Sequence, residues 1–449
     1  MHPALEQIAQ ASRGTEFENQ LWIVGGAVRD ELLGLAHKND FDLVTVRSAP
    51  ALAELLFQQG VSAIAPVVYA RFGTAMLQIA DTQIELITAR KESYDESSRK
   101  PEVEPTTLEE DARRRDFTCN ALLRNLHSGE LYDPLGNGLE DLKAKVLRTP
   151  LEPQATFYDD PLRMLRAVRF RWQLGFTPAP GLYEAIHETK ERLAIISAER
   201  IRDELFKMLL LESAPDALQD LMDLELLDIF AAELRAMVDV EQGSYHHLDV
   251  WKHSLLVLKN VGPGDIGLSL AALLHDVGKP PTRFIDEEGN TRFFGHESVG
   301  EEMSRKLLRG LKLPEKDIDR VALLVRNHMR LGSSPEFSPA AARRLIRDMD
   351  GEVESLLKLV EADASALKRG VKKLDLTPIR QRLQDVQKAT PKSVLISPLS
   401  GEEIMEILGV EAGPEVGRWK NLLTEKVLEG EILPGDKGAA KKMLRKLTR

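Results

Sequence analysis

The chain of 449 residues holds a single cysteine, Cys119. That excludes an intramolecular disulfide and a cysteine-built zinc site, and it fits a reducing cytosol. Aromatic residues are also scarce, at 5%; with Leu, Ala and Glu abundant, the composition favours helix. No run of about 18 apolar residues occurs, so no transmembrane helix is expected. Residues Met1 to Gln7 show no basic stretch followed by an apolar core, so no signal peptide is expected either. Positive charge is in deficit: the net charge is −11, which argues against non-specific coating of nucleic acid. The basic residues are instead clustered, at Arg113 to Arg115, at Arg163, Arg166, Arg169 and Arg171, and at Lys437, Lys441, Lys442, Arg445, Lys446 and Arg449. The length predicts about three domains.

Against these absences stands one dense segment. Residues 22–34 form an apolar run that breaks into Gly25 and Gly26 and continues into a helix-like stretch carrying Arg29. Paired glycines let backbone N–H groups approach a phosphate, and a helix start favours its negative charge. Downstream, Asp40 and Asp42 head an alternating apolar run. Spaced by the strand period of two, they share a face and can hold Mg²⁺ between them. A phosphate cradle beside a hard-metal pair points to chemistry on a nucleoside triphosphate.

Residues 21–88 read as a small α/β domain with a mixed sheet: strands at Leu21–Val24, Phe41–Val46, Ala75–Ile79 and Gln83–Thr88, helices at Asp30–Leu35 and Ala49–Gln59. Residues 89–106 read as a polar, mobile loop. From about residue 157 the periodicity is helical almost to the end, punctuated by Pro and Gly clusters, with a boundary at Pro391 to Gly401.

Asp160 and Arg163, three apart, are expected on one helical face, where an acceptor and a fork of donors could read the Watson–Crick edge of a base. Arg163, Arg166 and Arg169 repeat at the same spacing as a cationic stripe. By spacing alone a surface ion pair explains these residues as well. The run Arg113 to Arg115 suits phosphate binding, or a solvated helical face. A separate constellation comprises His253, His275-Asp276, His296, His328 and Asp363, with Gly278-Lys279 directly after the His-Asp pair. Imidazoles and carboxylates of this kind can bind a divalent metal.

Together these residues resemble the class II tRNA nucleotidyltransferase and bacterial poly(A) polymerase family. The carriers are Gly25 to Asp30, Asp40-Phe41-Asp42, Arg114 to Ala121, Asp133 to Leu142 and Asp160 to Phe170, in the family's order across residues 20–215. The second half is similar to the HD domain appended in part of that family. The resemblance implies an α+β architecture: a nucleotidyltransferase palm or head (1–150) with a mixed sheet, then an all-helical neck (151–240), an HD body (241–370) and a tail (371–449) that approaches the tRNA elbow.

It implies catalytic, Mg²⁺-holding Asp40 and Asp42; triphosphate contacts from Gly25, Gly26 and Arg29; nucleotide contacts from Arg115, Arg166 and Arg169; and selection of ATP or CTP by Asp160 and Arg163. Glu85 is a candidate third carboxylate. In the HD body, His253, His275, Asp276, His296, His328 and Asp363 would hold a second, transition-type divalent metal. The implied partners are tRNA, ATP and CTP, in the cytoplasm, with no membrane.

The sequence departs from the family at Asp159, where Glu is usual, at Gly136-Asn137-Gly138, where Asn137 is expected to tolerate left-handed backbone, and at Thr88-Ala89-Arg90. The full-length segment Ala89 to Glu109, with Glu92, Tyr94, Asp95, Arg99 and Pro101, resembles the CCA-adding pattern. That favours complete CCA addition over CC addition; A-adding enzymes and poly(A) polymerases share the motifs and stay open as alternatives. Two other classes are a phosphohydrolase centred on the HD residues and a non-catalytic tRNA-binding chaperone; the intact Asp40, Asp42, Asp160 and Arg163 argue against both.

Overall fold

The computed structural model describes residues 1–36, 39–93, 102–243, 247–331, 337–368, 375–389 and 395–448. The chain divides into two compact units, Met1–Phe230 and Ala231–Arg449. No helix among the described residues is long and apolar enough to cross a membrane.

The first unit opens with helix α1 (Pro3–Ala11) and continues through β1 (Leu21–Val24), α2 (Gly26–Leu32), β2 (Asp40–Thr45), α3 (Ala49–Gln58), β3 (Val67–Tyr69), β4 (Thr74–Ile79) and β5 (Thr82–Thr88). After β6 (Arg90–Ser93), β7 (Glu102–Pro105) and α4 (Leu108–Arg113) come β8 (Leu123–Asn125) and β9 (Leu131–Tyr132). Seven strands form one sheet in the order β3-β4-β5-β2-β1-β8-β9. Only β2 and β5 pair in parallel; their other pairings and those of β1 are antiparallel, which makes the sheet mixed as expected.

Alternation along β2 explains its place. Phe41 and Leu43 are buried on one face, and Asp40 and Asp42 take the opposite one. Helix α2 starts earlier than the periodicity predicts, because Gly25 takes φ +75° and turns the chain directly out of β1. The stretch 89–106 departs further from its reading as a loop. Its described ends pair as the antiparallel hairpin β6–β7, from Arg90↔Pro105 to Ser93↔Glu102. Charged residues on both strands hide the apolar alternation that would reveal them. Tyr94, Asp95, Arg99 and Pro101, and the side chain of Glu92, lie outside the described residues.

A short helix, α5 (Gly138–Ala144), follows the turn at Asp133. Here Asn137 has φ −126°; it is Gly136 that takes the left-handed geometry, at φ +76°. Gly138 is required for space instead, since a Cβ would lie 2.8 Å from the Thr118 carbonyl oxygen. After β10 (Val146–Leu147) the unit becomes helical: α6 (Pro153–Asp159), α7 (Leu162–Leu174), then β11 (Thr177–Pro178), α8 (Leu182–Thr189), α9 (Ala198–Leu209), α10 (Ala214–Asp223) and α11 (Leu227–Phe230).

Helix α7 is buried almost all round. Leu162, Met164, Leu165, Ala167, Val168 and Phe170 pack inward, and Arg163 and Arg169 are buried with them. The repeat at 163, 166 and 169 is therefore no solvent-facing stripe. Asp160 is not in the helix at all: it ends α6 in extended geometry, φ −134° and ψ 97°. Pro161 accounts for this, because its ring disfavours the helical region for the residue before it.

The second unit contains α12 (Val250–Val261), α13 (Ile266–Leu274), α14 (Lys279–Thr282), a small hairpin of β12 (Phe284–Ile285) and β13 (Thr291–Arg292), α15 (His296–Gly310), α16 (Glu315–Asn327), α17 (Pro339–Asp348), α18 (Val353–Ser365) and α19 (Thr377–Ala389). It ends with α20 (Gly401–Leu408), α21 (Pro414–Glu429) and α22 (Lys437–Leu447). These last three share a core of Leu399, Ile404, Val416, Leu423, Val427, Ile432, Ala440 and Leu444. A capping box of Ser400 and Glu403 starts α20, satisfying two otherwise orphaned N–H groups. Of the expected boundary at 391–401, residues 391–394 lie outside the described residues.

One acid ties α7 to the sheet side of the first unit. The Asp116 Oδ2 accepts from Arg166 Nε at 2.9 Å and Nη2 at 2.5 Å, and its Oδ1 accepts from Phe117 N and Asn120 Nδ2. Burial alone would raise this carboxyl, but the Arg166 charge, the Asn120 bond and Arg163 outweigh it and hold it down at about 2. A depressed carboxyl stabilises the fold above its ordinary value and loses that contribution as pH falls through the depressed one. The shift from 3.8 to about 2 corresponds to about 2 kcal/mol. The unfolding midpoint of Asp116→Asn should therefore fall well below wild type near pH 7. The gap should close as pH drops from about 4 toward 2. Thermal melts of both proteins across that range provide the check, and a gap that stays constant would refute the linkage.

Candidate active site

Strand β1 delivers Val24 to a position opposite Asp42 in β2, and β2 sets Asp42 opposite Glu85 in β5. Gly25 follows at once. A Cβ on it would lie 3.4 Å from Asp42 Oδ2, so the turn backbone lies directly against the carboxylate. Burial pushes Asp42 up to about 6, with Glu85 and Asp40 adding to the rise and Arg115 and Arg166 opposing it. Glu85 is raised as well, first by burial. Carboxylates crowded together in this way are a donor set of hard oxygens that suits a divalent cation.

Opposite this acidic edge, four arginines converge on a cleft of about 350 Å³, lined also by Gly25, Gly26, Asp40 and Asp42. Arg29, 4% exposed, bonds Asp30 through Nε at 2.8 Å and Asn120 Oδ1 through Nη1 at 2.7 Å. Arg166 is held by Asp116 as described, and Arg169 donates to Glu204 Oε2 at 2.6 Å and Gln173 Oε1 at 2.6 Å. Arg115 donates to Asp111 Oδ2 at 2.9 Å, while its buried Nε has no hydrogen-bond partner among the described residues. Each guanidinium is thus fixed on one side and still edges the cleft, the arrangement that receives an oxyanion without reorganising.

The structure brings together Gly25, Gly26, Arg29, Asp40, Asp42, Arg115, Arg166 and Arg169. It does not bring Asp160 and Arg163 into the cleft wall. Asp160 accepts from Leu162 N at 3.2 Å and from Arg200 Nη2 at 2.9 Å. The Arg163 guanidinium bonds the carbonyl oxygens of Thr156 and Arg114. The expected face shared by these two residues is replaced by an Asp that caps the start of α7 and an Arg engaged with main chain. Asp160 still reaches the cleft electrostatically, as one of the charges that raise Arg166.

Sequence reasoning missed Asp116, Asn120, Phe170 and Glu204. Glu204 had a readable signal, since it lies with Ile201, Leu205 and Met208 on the buried face of α9, where an acid demands a cationic partner.

The second unit gathers the other constellation without exception. His253 comes from α12, His275 and Asp276 from the end of α13, His296 from the start of α15, His328 from the end of α16 and Asp363 from α18. Ligand atoms of His253, His275 and Asp363 lie within 4.8 Å of one another, as do those of Asp276, His296 and His328. The Nδ1 atoms of His275, His296 and His328 meet the carbonyl oxygens of Ala272, Phe293 and Val325 at 2.7–2.8 Å.

A carbonyl only accepts, so each neutral ring carries its proton on Nδ1 and turns the Nε2 lone pair inward. Two such atoms, on His296 and His328, stand 3.2 Å apart. The buried Asp276 Oδ1, without a hydrogen-bond partner, lies 3.5 Å and 3.8 Å from them. Inward lone pairs around an unsatisfied carboxylate fit a metal ion. Lys279 steadies Asp276 with a 2.6 Å bond to Oδ2 and donates to Gln242 as well. Gly278 is the fixed point of the loop: a Cβ would fall 2.1 Å from the His296 carbonyl oxygen.

Comparison with known proteins accords with this division. Residues 21–148 match the poly A polymerase head domain, 175–237 the probable RNA and SrmB-binding site of polymerase A, and 243–378 the HD domain. Heads and HD domains of these kinds generally use divalent metals. The A-adding tRNA nucleotidyltransferase of Deinococcus radiodurans is 38% identical over 350 residues, covering 73% of this chain and 77% of its own. The CC-adding tRNA nucleotidyltransferase of Thermus thermophilus is 35% identical over 421 residues, 91% of this chain and 90% of its own. Among solved structures, the Bacillus stearothermophilus CCA-adding enzyme in complex with CTP aligns with a TM-score of 0.69 at 25% identity, over 100% of this chain and 98% of that one. With a poly(A)-polymerase-type head, an RNA-binding segment and an HD domain in order, the chain belongs to the tRNA nucleotidyltransferase family.

Proposed function

We propose that the protein completes the CCA end of tRNA without a nucleic-acid template, transferring CMP from CTP and AMP from ATP. The observation that supports this most is the cleft itself, where Asp40 and Asp42 face Arg29, Arg115, Arg166 and Arg169 across about 350 Å³. In the reaction the RNA 3′-oxygen bonds the α-phosphorus, the bond to the β-phosphate oxygen breaks, and pyrophosphate leaves. Mg²⁺ held by Asp40 and Asp42 would align the 3′-hydroxyl and neutralise the leaving group. Gly25, Gly26 and Arg29 take the triphosphate; Arg115, Arg166 and Arg169 take the nucleoside side. Asp160 and Arg163 select the base, a role that requires Arg163 to exchange its main-chain contacts for the nucleotide.

In this reading the chain is a cytoplasmic enzyme of head 1–150, neck 151–240, HD body 241–370 and tail 371–449. The tail meets tRNA through the basic face of α22, Lys437, Lys441, Lys442, Arg445 and Lys446, and its affinity falls with salt. One relative adds A and another CC, so specificity must be measured. Purified protein with tRNA lacking its CCA end, given CTP and ATP separately and together, should incorporate both nucleotides; A alone would select the A-adding reading, and no incorporation would reject nucleotidyl transfer. Asp42→Ala should lower turnover by roughly a thousandfold or more through loss of a metal oxygen, with tRNA affinity in a filter-binding assay nearly unchanged.

The cluster of four histidines, Asp276 and Asp363 supports a second activity of the HD body, hydrolysis of phosphate esters such as 2′,3′-cyclic phosphate ends, with a transition-type divalent metal bound there. Variants His275→Ala and Asp276→Ala should lose that hydrolysis and their bound metal, read by elemental analysis, while CMP transfer continues. Hydrolysis that survives in both would rule the site out.

A further inference from the structure

We propose that Phe170 is a positioning residue for the incoming nucleotide, its ring holding the guanidinium groups of Arg29, Arg166 and Arg169 at fixed separations around the cleft. The inference rests on the reading of that cleft as the nucleotide site. The Cζ atoms of the three arginines lie 4.9, 5.2 and 4.1 Å from the centroid of this one ring. Phe170 is 4% exposed, and Phe117 meets it edge-on at 5.7 Å and 85°, which fixes its tilt within the core.

The arginines come from different places. Arg29 belongs to α2, beside the paired glycines; Arg166 and Arg169 belong to α7. Three like charges converging on one point repel. Asp30, Asp116 and Glu204 neutralise them from the outside, and on the inside all three share the negative face of one ring.

Hydrogen bonds close the circuit. Arg29 Nη1 donates to Asn120 Oδ1 at 2.7 Å, Asn120 Nδ2 donates to Asp116 Oδ1 at 3.0 Å, and Arg166 donates to Asp116 Oδ2. Arg29 and Arg166 are therefore joined twice, through Asn120 and Asp116 and through Phe170. An aliphatic side chain of similar volume would fill the space and leave the second link open. The spacing between the triphosphate contact and the nucleoside contacts is set by this circuit, for CTP and ATP alike.

The test replaces Phe170 in the full chain with 4-fluoro-, 3,5-difluoro- and 3,4,5-trifluorophenylalanine, which keep the ring's shape and drain its negative face stepwise. Calorimetry gives Kd for CTP and for ATP, single-nucleotide incorporation gives kcat, and a melt gives Tm. Both Kd values should climb with each fluorine, reaching about tenfold for the trifluoro ring. In the same series kcat should stay within about twofold, the signature of lost uniform binding, and Tm should hold. Phe170→Leu should match the trifluoro protein; should it fail to fold, the fluorinated series stands alone. Unchanged Kd values would overturn the proposal. So would a change for one nucleotide only, which would mean that the ring touches the base, or a fall in Tm without a change in Kd, which would mean packing alone. Wild type that incorporates neither nucleotide would instead reject the nucleotidyl-transfer reading itself.

Discussion

The first unit depends on one carboxylate. Asp116 is 8% exposed, and every one of its contacts serves the cleft: Arg166 on one oxygen, Asn120 and the Phe117 amide on the other. Its burial costs solvation that only a close cation and good hydrogen bonds repay. The converse holds for α7. A helix that buries Arg163 and Arg169 among leucines must find an acid or a carbonyl for every guanidinium, and it does so at Thr156, Arg114 and Glu204. Packing and site geometry are therefore one problem here. The arginines that face the cleft are also the polar groups whose satisfaction fixes how α7 sits against the head.

The two centres solve the problem of charge in opposite ways. In the head, Asp42 and Glu85 face each other across β2 and β5, and their carboxyls rise first through burial, with Glu85 and Asp40 adding to the rise of Asp42 and Asp40 to that of Glu85. In the second unit, burial would raise Asp276, but His275, Lys279 and His253 hold it well below the ordinary range. Burial also pushes His328 down to about 4, so its ring is neutral at pH 7. The first arrangement offers hard oxygens to a cation that arrives with a nucleotide. The second offers four imidazoles and two carboxylates, Asp276 and Asp363, both held in the charged form, a donor set with the greater nitrogen share that suits a resident transition-type ion.

Much of this is legible in the chain, and the limits have physical causes. Period-two spacing places Asp40 and Asp42 together, and the glycine pair announces the close backbone approach that the 3.4 Å clearance at Gly25 displays. The spacing of His-Asp with Gly278 likewise carries its own reason, because no side chain fits against the His296 carbonyl. The Asp160–Arg163 pair is misread by helical periodicity, although Pro161 stands in the sequence as notice that the helix cannot yet have begun. The hairpin at Arg90 and Pro105 is hidden because charged residues interrupt any apolar alternation on both strands. Asn120 carries no spacing signal, and the helical spacing of Phe170 with Leu162, Leu165 and Val168 marks it only as core. An amide and a phenyl ring acquire their meaning only when α2 and α7, more than 100 residues apart in sequence, meet across them.

That pairing also resolves an apparent contradiction, an acidic protein in a family that acts on polyanions. The cleft is not a basic surface. Arg29 is matched by Asp30, Arg115 by Asp111, Arg166 by Asp116 and Arg169 by Glu204. With Asp40 and Asp42 added, the wall has no net positive charge to draw in a polyanion from a distance. What it holds is a set of N–H donors whose directions are already fixed by their acids. Such donors discriminate by position rather than by field: in the function proposed above, a triphosphate seated with its metal would satisfy them and an arbitrary stretch of RNA backbone would not. Long-range attraction to RNA then has to come from elsewhere. In the second unit α22 presents lysines and an arginine on an exposed face; in the function proposed above, capture of the RNA and selection of the nucleotide fall to separate sets of charges.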